Sequence, residues 1–411
     1  MGEFKATDEA HLTSSSQPSR WHTNSSSLST RSRPAILIFA LPQKSRPCHK
    51  TVMTRREFFH STALAAAALH LPLPLATGLD SSLIDTRRGV VPLGMDNFAV
   101  RAMGWKGREL VDYAASLRLD VLFITDLASL GTRDERELGE LRKYATDHGM
   151  VIQLGSWSIC PTSVRFKKDW GTAEEHLALG LRLSKAVGSP VFRVVLGGRE
   201  DRKTPGGIDA RIADTVKVCQ SQKHLAQDLG VKIAIENHAG DMTAQELVRL
   251  IEAAGRDYVG ANLDSGNAVW TLEEPIASLE ILGPYALSTS LRDSAVWETG
   301  KGCKVQWTAM GEGGCVDLYE YFTRFRQLCP GVAVNIETIG GFAIEFPYLA
   351  DPEFWKVFPN KSAAEFGRFL ALAKRGKPVA PHDGGDKAMQ KGELERSIRY
   401  CREVLGLGLK V

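Results

Sequence analysis

The sequence predicts an α/β protein that folds as one (β/α)8 TIM barrel with a C-terminal helical extension. Between residues 88 and 375, short β-rich apolar runs alternate eight times with longer segments of helical period, and such alternation implies a parallel sheet. Eight units in about 290 residues favour a closed barrel over an open, doubly wound sheet. No GxGxxG or GxxxxGKS/T sequence follows the first predicted strand, so the nucleotide-binding form of the open sheet loses its main support.

The predicted strands are apolar runs bounded by turn-forming residues, and a predicted helix follows each of them. The strands cover residues 90–94, 120–125, 151–155, 191–196, 232–236, 258–264, 285–291 and 332–338. The helices cover residues 107–117, 134–148, 172–187, 210–229, 243–254, 272–282, 316–328 and 363–374, with one more over 391–405 in the extension, residues 376–411. Thr243 and Glu246 have the spacing of a capping box, and Gly230 stands where a left-handed C-cap is expected.

The segment 294–314 is long for the connection between a barrel strand and its helix. We therefore expect this segment to shape a substrate pocket or to form a contact between the subunits of a homo-oligomer.

Residues 1–80 are predicted to be a targeting segment and its leader rather than part of the fold. Residues 54–59 read Thr-Arg-Arg-Glu-Phe-Phe, and the uncharged apolar stretch 61–75 that follows is too short to span a bilayer comfortably. The paired arginines resemble a twin-arginine export signal, although an amphipathic helix packed on the domain is the alternative. We expect a signal peptide over 53–80, a disordered leader or mis-assigned start over 1–52, and a periplasmic or secreted protein with no stable membrane span after signal removal.

Composition and charge exclude several classes of protein. With 43% hydrophobic residues among 411, the chain can bury a large core, which argues against a disordered or fibrous protein. The net charge of +3 belongs to the first 78 residues, and the remainder is slightly acidic, so no groove for nucleic acid is indicated. The seven cysteines include no CxxC pair and are predicted to be buried thiols, but Cys303 and Cys315 could close a loop in an oxidising compartment.

Three acidic residues stand at the carboxyl ends of predicted strands, where a barrel places its chemistry. Glu236 ends strand five, Asp264 ends strand six and Glu337 lies near the end of strand eight. Either each acid pairs with a local Lys or Arg, or the three share one divalent cation, and three acids at three strand ends favour the shared cation. Oxygen ligands favour Mn²⁺ or Mg²⁺, and a nearby histidine would admit Co²⁺ or Zn²⁺.

Five short segments together resemble one protein family. They read IENH (235–238), LDSGN (263–267), SLRD (290–293), GEG (311–313) and IET (336–338). In their order and spacing they look like the sugar phosphate isomerase/epimerase family, the xylose isomerase-like TIM barrels. The resemblance covers about residues 88 to 375.

The resemblance implies one divalent metal ion held by Glu236, Asp264, the residue at position 290 and Glu337. The family usually has a histidine at position 290, where this chain has Ser290, and a serine hydroxyl is a poor metal ligand. The expected consequence is a weaker site, a site with water or His238 as its fourth ligand, or a site that has lost catalysis.

A metal with flanking carboxylates suits removal of a proton next to a carbonyl group, which gives an enediolate. Glu236 and Glu337 are the candidate acid/base pair, and His238 is either a second acid/base or a structural histidine. The remaining candidates for substrate binding are polar or aromatic residues near predicted loop ends, and each could instead serve packing alone. They are Asn262, Asn267, Trp157, Trp270, Trp307 and Arg292, the last of which could also neutralise Asp293.

The resemblance thus implies a metal-dependent sugar isomerase or epimerase that acts on a small-molecule sugar. An exported protein meets free sugars or oxidised glycosides more often than phosphorylated sugars, so a 3-keto-glycoside lyase or deglycosidase acting by β-elimination is the alternative. A non-catalytic sugar-binding barrel is the second alternative, which Ser290 allows. Endonucleases of the same fold need many histidines for three zinc ions, whereas only His238 falls at a predicted strand end.

Overall fold

The computed structural model describes residues 90–410, and these residues confirm the (β/α)8 barrel. The strands are β1 (Leu93–Asp96), β2 (Val121–Ile124), β3 (Val151–Ser158), β4 (Val191–Val195), β5 (Lys232–Glu236), β6 (Val259–Leu263), β7 (Ala286–Thr289), β8 (Asp293–Thr299), β9 (Gly302–Thr308), β10 (Val334–Ile336) and β11 (Ala343–Phe346). Eight of them are parallel neighbours in the order β10-β1-β2-β3-β4-β5-β6-β7. Their carboxyl ends therefore meet at one end of the barrel.

Helices connect the strands and cover the outside of the sheet. They are α1 (Gly107–Ser116), α2 (Glu135–Asp147), α3 (Ala173–Val187), α4 (Gly207–Ser221), α5 (Lys223–Leu229), α6 (Ala244–Ala254), α7 (Ser265–Ala268), α8 (Pro275–Leu282), α9 (Leu318–Leu328), α10 (Ala363–Arg375) and α11 (Lys387–Glu403). Apart from α7 and α10, their apolar faces pack on the sheet in one large hydrophobic cluster. Burial of this apolar surface is the main force that holds a fold of this kind together.

Residues just after β7 close the barrel onto β10. Leu291 donates its N–H to the Asn335 carbonyl at 2.7 Å, and Glu337 donates to the Leu291 carbonyl at 2.9 Å. The Thr289 hydroxyl accepts a further bond, from the Asn335 N–H at 2.9 Å. The chain at 289–292 is thus irregular but bonded on both sides, and this irregular stretch carries Ser290 and Arg292.

The connection predicted over 294–314 is in fact mostly a β-hairpin. Strands β8 and β9 pair antiparallel around Gly300–Gly302, and β11 pairs with the far side of β9. This three-stranded sheet and α10 enclose a second hydrophobic cluster that contains Val296, Val305 and Trp307. The segment does shape a pocket, because it carries Trp307 over the barrel end.

Two other predicted elements differ from the structure for local reasons. The helix predicted over 210–229 is two helices, because Gln222 between α4 and α5 leaves helical geometry at φ −106° and ψ 9°. The helix predicted to begin at Leu272 begins at Pro275, since Leu272 has left-handed φ of 57°. The capping box of Thr243 and Glu246 and the left-handed C-cap at Gly230 are confirmed.

The C-terminal extension lies against both ends of the first barrel strand. Helix α11 packs on residues 97–103, which follow β1 at the carboxyl end. At the other end, Gly408 donates to the Val91 carbonyl at 2.8 Å, and Leu409 donates to Asp120 Oδ2 at 2.9 Å.

The remaining predictions concern the cysteines and the N-terminal signal peptide. Within residues 90–410 the six cysteines are free and buried, as predicted, and Cys303 and Cys315 do not pair. No helix in this range has the length and apolar character of a membrane span. The signal peptide predicted over 53–80 and the leader over 1–52 lie outside the described residues.

Candidate active site

Three carboxylates converge at the carboxyl end of the barrel. Glu236 is the last residue of β5, Asp264 directly follows β6, and Glu337 directly follows β10. One carboxylate oxygen from each lies within 4.8 Å of the others, and all three side chains are buried. We call Glu236, Asp264 and Glu337 the carboxylate triad. Converging strand ends bring together residues that stand 28 and 73 positions apart in the sequence.

Asp264 is fixed by the helix that follows it. Its Oδ1 accepts hydrogen bonds from the backbone N–H groups of Gly266 at 2.7 Å and Asn267 at 3.0 Å, so it caps α7. The Asn267 side chain donates to Asp264 Oδ2 at 2.6 Å and to Glu236 Oε1 at 3.1 Å. Asn267 therefore ties two members of the triad together.

The guanidinium of Arg292 lies between Asp264 and Glu337. Arg292 Nη2 donates to both Asp264 Oδ2 and Glu337 Oε2, and the arginine is only 2% exposed. Its Nε and Nη1 are buried with no hydrogen-bond partner among the described residues. The guanidinium also lies 4.4 Å from the centre of the Trp307 ring, within the range of a cation–π contact.

A second guanidinium holds Glu236. Arg193 on β4 donates from Nε to Glu236 Oε2 at 2.5 Å and from Nη1 to the Ser156 carbonyl at 3.0 Å. Asn262 donates to the same carboxylate oxygen at 2.8 Å. Because β4 and β5 pair with Val195 beside Glu236, the arginine two residues earlier reaches the carboxylate along the inner face of the sheet.

The Ser290 hydroxyl forms two hydrogen bonds within the cluster. It donates to Asp96 Oδ2 at 3.1 Å and accepts from Asn262 Nδ2 at 3.3 Å. Asp96 ends β1 and also accepts the Thr125 hydroxyl at 2.6 Å. Ser290 thus links a fourth buried carboxylate to the triad through Asn262.

Burial shifts the proton affinities of these groups. It raises the pKa of Asp96, Asp264 and Glu337, because each carboxylate loses its hydration. Burial alone would lower the pKa of Arg292, but the neighbouring carboxylates outweigh it and raise that pKa. The Arg292 guanidinium therefore stays charged, while Asp96, Asp264 and Glu337 hold protons more readily than exposed carboxylates do.

His238 presents one ring nitrogen to the same region. Its Nδ1 lies 2.7 Å from the Gly197 carbonyl oxygen, which can only accept, so Nδ1 carries a proton. The His238 backbone N–H donates to Asp241 Oδ1 at 3.0 Å, and Asp241 Oδ2 accepts from the Gly197 N–H at 3.1 Å. Burial lowers the pKa of His238 to about 4. The neutral ring therefore keeps Nε2 free to accept a proton.

A cavity of about 40 Å³ opens at the centre of this arrangement, enough for about three water molecules. Its lining combines aromatic residues with hydrogen-bond donors and acceptors. The lining residues are Phe98, Thr125, Trp157, Arg193, His238, Asn267, Arg292, Trp307, Glu337 and Ile339. Phe98 meets Trp157 edge to face at 5.7 Å, and Phe342 meets Trp307 at 5.8 Å.

The candidate residues predicted from the sequence fall into two groups. Those that line the cavity are His238, Asn267, Trp157, Trp307, Arg292 and Glu337. Glu236, Asp264, Asn262 and Ser290 belong to the hydrogen-bonded network of the cluster but are not among the lining residues. Trp270 stacks on Trp307 at 4.4 Å and is likewise not a lining residue. Arg292 bonds to Asp264 and Glu337 rather than neutralising Asp293, which accepts backbone N–H groups of Ser294 and Gly313.

Sequence reasoning missed two charged residues of the cluster, Arg193 and Asp96. Arg193 interrupts the apolar run of β4, and a charge inside a buried strand must find a partner. Asp96 follows the predicted strand 90–94, so it met the same strand-end criterion as the triad. Both signals were present in the sequence.

The residues of the cluster fit a hard divalent cation. Besides the triad, Asn267 offers a buried Oδ1 that lacks a hydrogen-bond partner in the described part of the chain. Four buried carboxylates and two guanidiniums are joined by hydrogen bonds, which leaves two formal negative charges unbalanced. Oxygen donors and this excess charge suit Mn²⁺ or Mg²⁺. A metal ion between Asp264 and Glu337 would require Arg292 Nη2 to leave them.

Comparison with known proteins agrees with this architecture. Residues 99–357 match the family described as xylose isomerase-like TIM barrel. Among curated proteins, none matches the sequence.

Solved structures with the same fold include sugar epimerases. The structure of a D-psicose 3-epimerase in the presence of D-fructose has 15% identity and a TM-score of 0.51, over 77% of this chain and 99% of that chain. The D-psicose 3-epimerase from Clostridium cellulolyticum H10 with D-tagatose has 14% identity and a TM-score of 0.50, over 76% and 99%. The IOLI protein with a bound zinc atom has 16% identity and a TM-score of 0.47, over 68% and 95%. At such identities the first two show the fold alone.

Proposed function

Because the chain belongs to the xylose isomerase-like TIM barrel family, we propose that it is a divalent-metal-dependent sugar isomerase or epimerase. The proposed reaction removes a proton from the carbon next to a carbonyl group. The observation that carries the proposal is the placement of two proton-transfer groups, His238 and Glu337, in one aromatic-walled cavity at the carboxyl end of the barrel.

In the proposed reaction one of these groups acts as base and the other as acid. Nε2 of His238 is free to take a proton because Nδ1 is held by the Gly197 carbonyl. Glu337 is the other group in the cavity that can exchange a proton with the substrate, and burial raises its pKa above that of an exposed glutamate. The base takes the C–H proton and the carbonyl oxygen takes up the electron pair, which gives an enediolate. Return of a proton to the other face of the same carbon gives the epimer. Return of a proton to the former carbonyl carbon, while the hydroxyl on the first carbon gives up its own proton, gives the isomer.

The other residues of the cluster bind and orient. Asn267 offers its unpaired Oδ1 as an acceptor to sugar hydroxyls, Arg193 offers the N–H groups that Glu236 and Ser156 do not use, and Trp157 and Trp307 offer ring faces. Glu236 is held by three donors and does not line the cavity, so we assign it to positioning rather than proton transfer. Glu236, Asp264 and Glu337 would hold the metal, which when bound would polarise the substrate carbonyl.

The charge of the cluster favours a neutral substrate. The cavity lining contains Arg193 and Arg292 as its basic residues, and both bond to carboxylates of the cluster, so neither is set aside to receive a phosphate group. Free ketoses are therefore the first class of substrate proposed.

A keto-glycoside is the second class of substrate, and one observation favours it. Trp157 is 40% exposed and Phe342 is 44% exposed, so apolar ring surface continues from the cavity to the protein surface. A second sugar unit could stack there. In that case the same proton abstraction would end in loss of the leaving group, which is β-elimination.

The test is incubation with ketohexoses and 3-keto-glucosides in D₂O with Mn²⁺, followed by proton NMR. We expect the signal of the proton next to the carbonyl to disappear with the wild type. Glu337→Gln should slow that exchange about 10²-fold or more, because it removes a proton-transfer group.

Glu273→Gln is the matched control, since Glu273 is a second buried glutamate that is not among the cavity-lining residues. It should leave the exchange rate unchanged. Absence of exchange with every ketose and keto-glycoside would contradict the proposal, and tight sugar binding without exchange would identify a binding barrel instead.

A further inference from the structure

Arg292 holds the place in the carboxylate triad that a metal ion would need. Its Nη2 donates to Asp264 and Glu337 at once, so the positive charge lies between two members of the triad. A second cation at the same position would lie within a few ångströms of the guanidinium. In a buried site such repulsion is strong, so the two cations exclude each other.

The surroundings of Arg292 are built to keep it there. The Ser265 hydroxyl donates to the Arg292 carbonyl at 2.5 Å and accepts from the Arg292 N–H at 3.2 Å. Gly266 leaves room for the side chain, because a Cβ at that position would lie 2.4 Å from Arg292 Cγ. Trp307 covers the guanidinium from the other side and donates from Nε1 to the Gly266 carbonyl at 2.8 Å.

The hold on Arg292 is nevertheless incomplete. Its Nε and Nη1 have no partner in the described residues although the side chain is 2% exposed. A buried donor without a partner loses hydration and gains nothing in return. The cavity beside Arg292 is also small for a sugar at about 40 Å³, so movement of this side chain would provide space as well as free the triad.

We propose that Arg292 is the resident cation of the triad and that a divalent metal binds in competition with it. The proposal adds to the function proposed above and rests on it only in assuming that the carboxylate triad binds a divalent metal ion. Arg292 then has two effects. It keeps the metal-free triad neutralised, and it weakens metal affinity by the free energy needed to displace it.

Calorimetric titration of the metal-free chain with Mn²⁺ tests this proposal without any substrate. Arg292→Met removes the competing charge and keeps much of the apolar volume, so we expect it to bind Mn²⁺ at least tenfold more tightly than the wild type. Arg396→Met is the matched control, because Arg396 pairs with Glu312 at the surface. It should bind Mn²⁺ within about twofold of the wild type.

Equal or weaker Mn²⁺ affinity in Arg292→Met would overturn the proposal. If this variant does not fold without metal, a measurement on the wild type decides the question. The ¹⁵Nε signal of Arg292, identified by its absence from Arg292→Lys, should shift when Zn²⁺ binds. Calorimetrically detected Zn²⁺ binding with no shift of that signal would equally overturn the proposal.

The two proposals fail separately. Sugar exchange with no effect of Arg292→Met on Mn²⁺ affinity would leave the proposed function and remove the competition. Tighter Mn²⁺ binding in Arg292→Met without sugar exchange would leave the competition and remove the function.

Discussion

Arg193 and Arg292 are both buried guanidiniums that neutralise carboxylates of one cluster, yet they differ in how their N–H groups are used. Arg193 bonds to Glu236 and to the Ser156 carbonyl, and none of its nitrogens lacks a partner among the described residues. Arg292 bonds to Asp264 and Glu337 through a single nitrogen and leaves Nε and Nη1 unpaired. Arg193, with its hydrogen bonds complete, is suited to stabilising the barrel. Arg292, with two donors unpaired, is suited to displacement by a metal ion.

The largest effect on stability is expected from breaking the ion pair between Arg193 and Glu236. Arg193→Met should lower the free energy of unfolding by about 3–5 kcal/mol, because it leaves Glu236 buried without its counter-ion. Arg292→Met should cost less, about 1–2 kcal/mol, since burial raises the pKa of Asp264 and Glu337 so that they can take up protons, and the change also removes two unpaired donors. Urea unfolding at pH 7 in chelator measures both. Equal losses in the two variants would contradict a difference in role between Arg193 and Arg292.

Ser156, whose carbonyl accepts from Arg193, also contacts the buried His176, and this histidine makes the stability of the fold depend on pH. The Ser156 hydroxyl lies 2.7 Å from His176 Nε2, and burial lowers the pKa of His176 to about 4 from its ordinary 6.5. The unfolded chain therefore binds a proton below pH 6.5 that the folded chain takes up only near pH 4. Stability should fall as the pH drops between these values, by about 3 kcal/mol at most from this residue.

Substitution of His176 isolates this contribution. In His176→Gln the decline in the free energy of unfolding between pH 6.5 and 4 should be shallower than in the wild type. Urea titrations at half-unit steps of pH provide the comparison. Parallel curves for the two proteins would show that His176 is not responsible.

The smallest expected effect concerns the aromatic cover of Arg292. Trp307→Phe should lower stability by about 1 kcal/mol, because it weakens the cation–π contact and removes the bond to the Gly266 carbonyl. Trp270→Phe is the control, since Trp270 stacks behind Trp307 and its Nε1 has no partner within residues 90–410. Thermal unfolding compares the two, and a larger loss in Trp270→Phe would argue against a role for the arginine contact.

Much of the barrel could be predicted because its signals are local. Apolar runs and helical periods repeat along the chain, and each of the eight predicted barrel strands overlaps an observed one. The hairpin over β8 and β9 was missed, although Val296 and Val305 face each other across it. Its strands pair antiparallel within a region expected to be a single connection, so the barrel pattern concealed it.

The candidate site was predictable only in part, because its partners are set by register. The position of the triad followed from the rule that parallel strand ends meet. That Arg193 reaches Glu236 depends on how β4 and β5 align, and no short-range pattern fixes that alignment. That Arg292 points into the triad depends on the irregular chain after β7, where the strand period no longer tells which side a residue faces.

The most direct test of the account is deuterium exchange at the carbon next to the carbonyl of a ketose or 3-keto-glucoside, measured by NMR on the metal-free wild type before and after addition of Mn²⁺. We predict no exchange in chelator and rapid exchange once Mn²⁺ is added. Exchange at the same rate in chelator, or none after Mn²⁺ has bound, would contradict metal-dependent proton abstraction at this site.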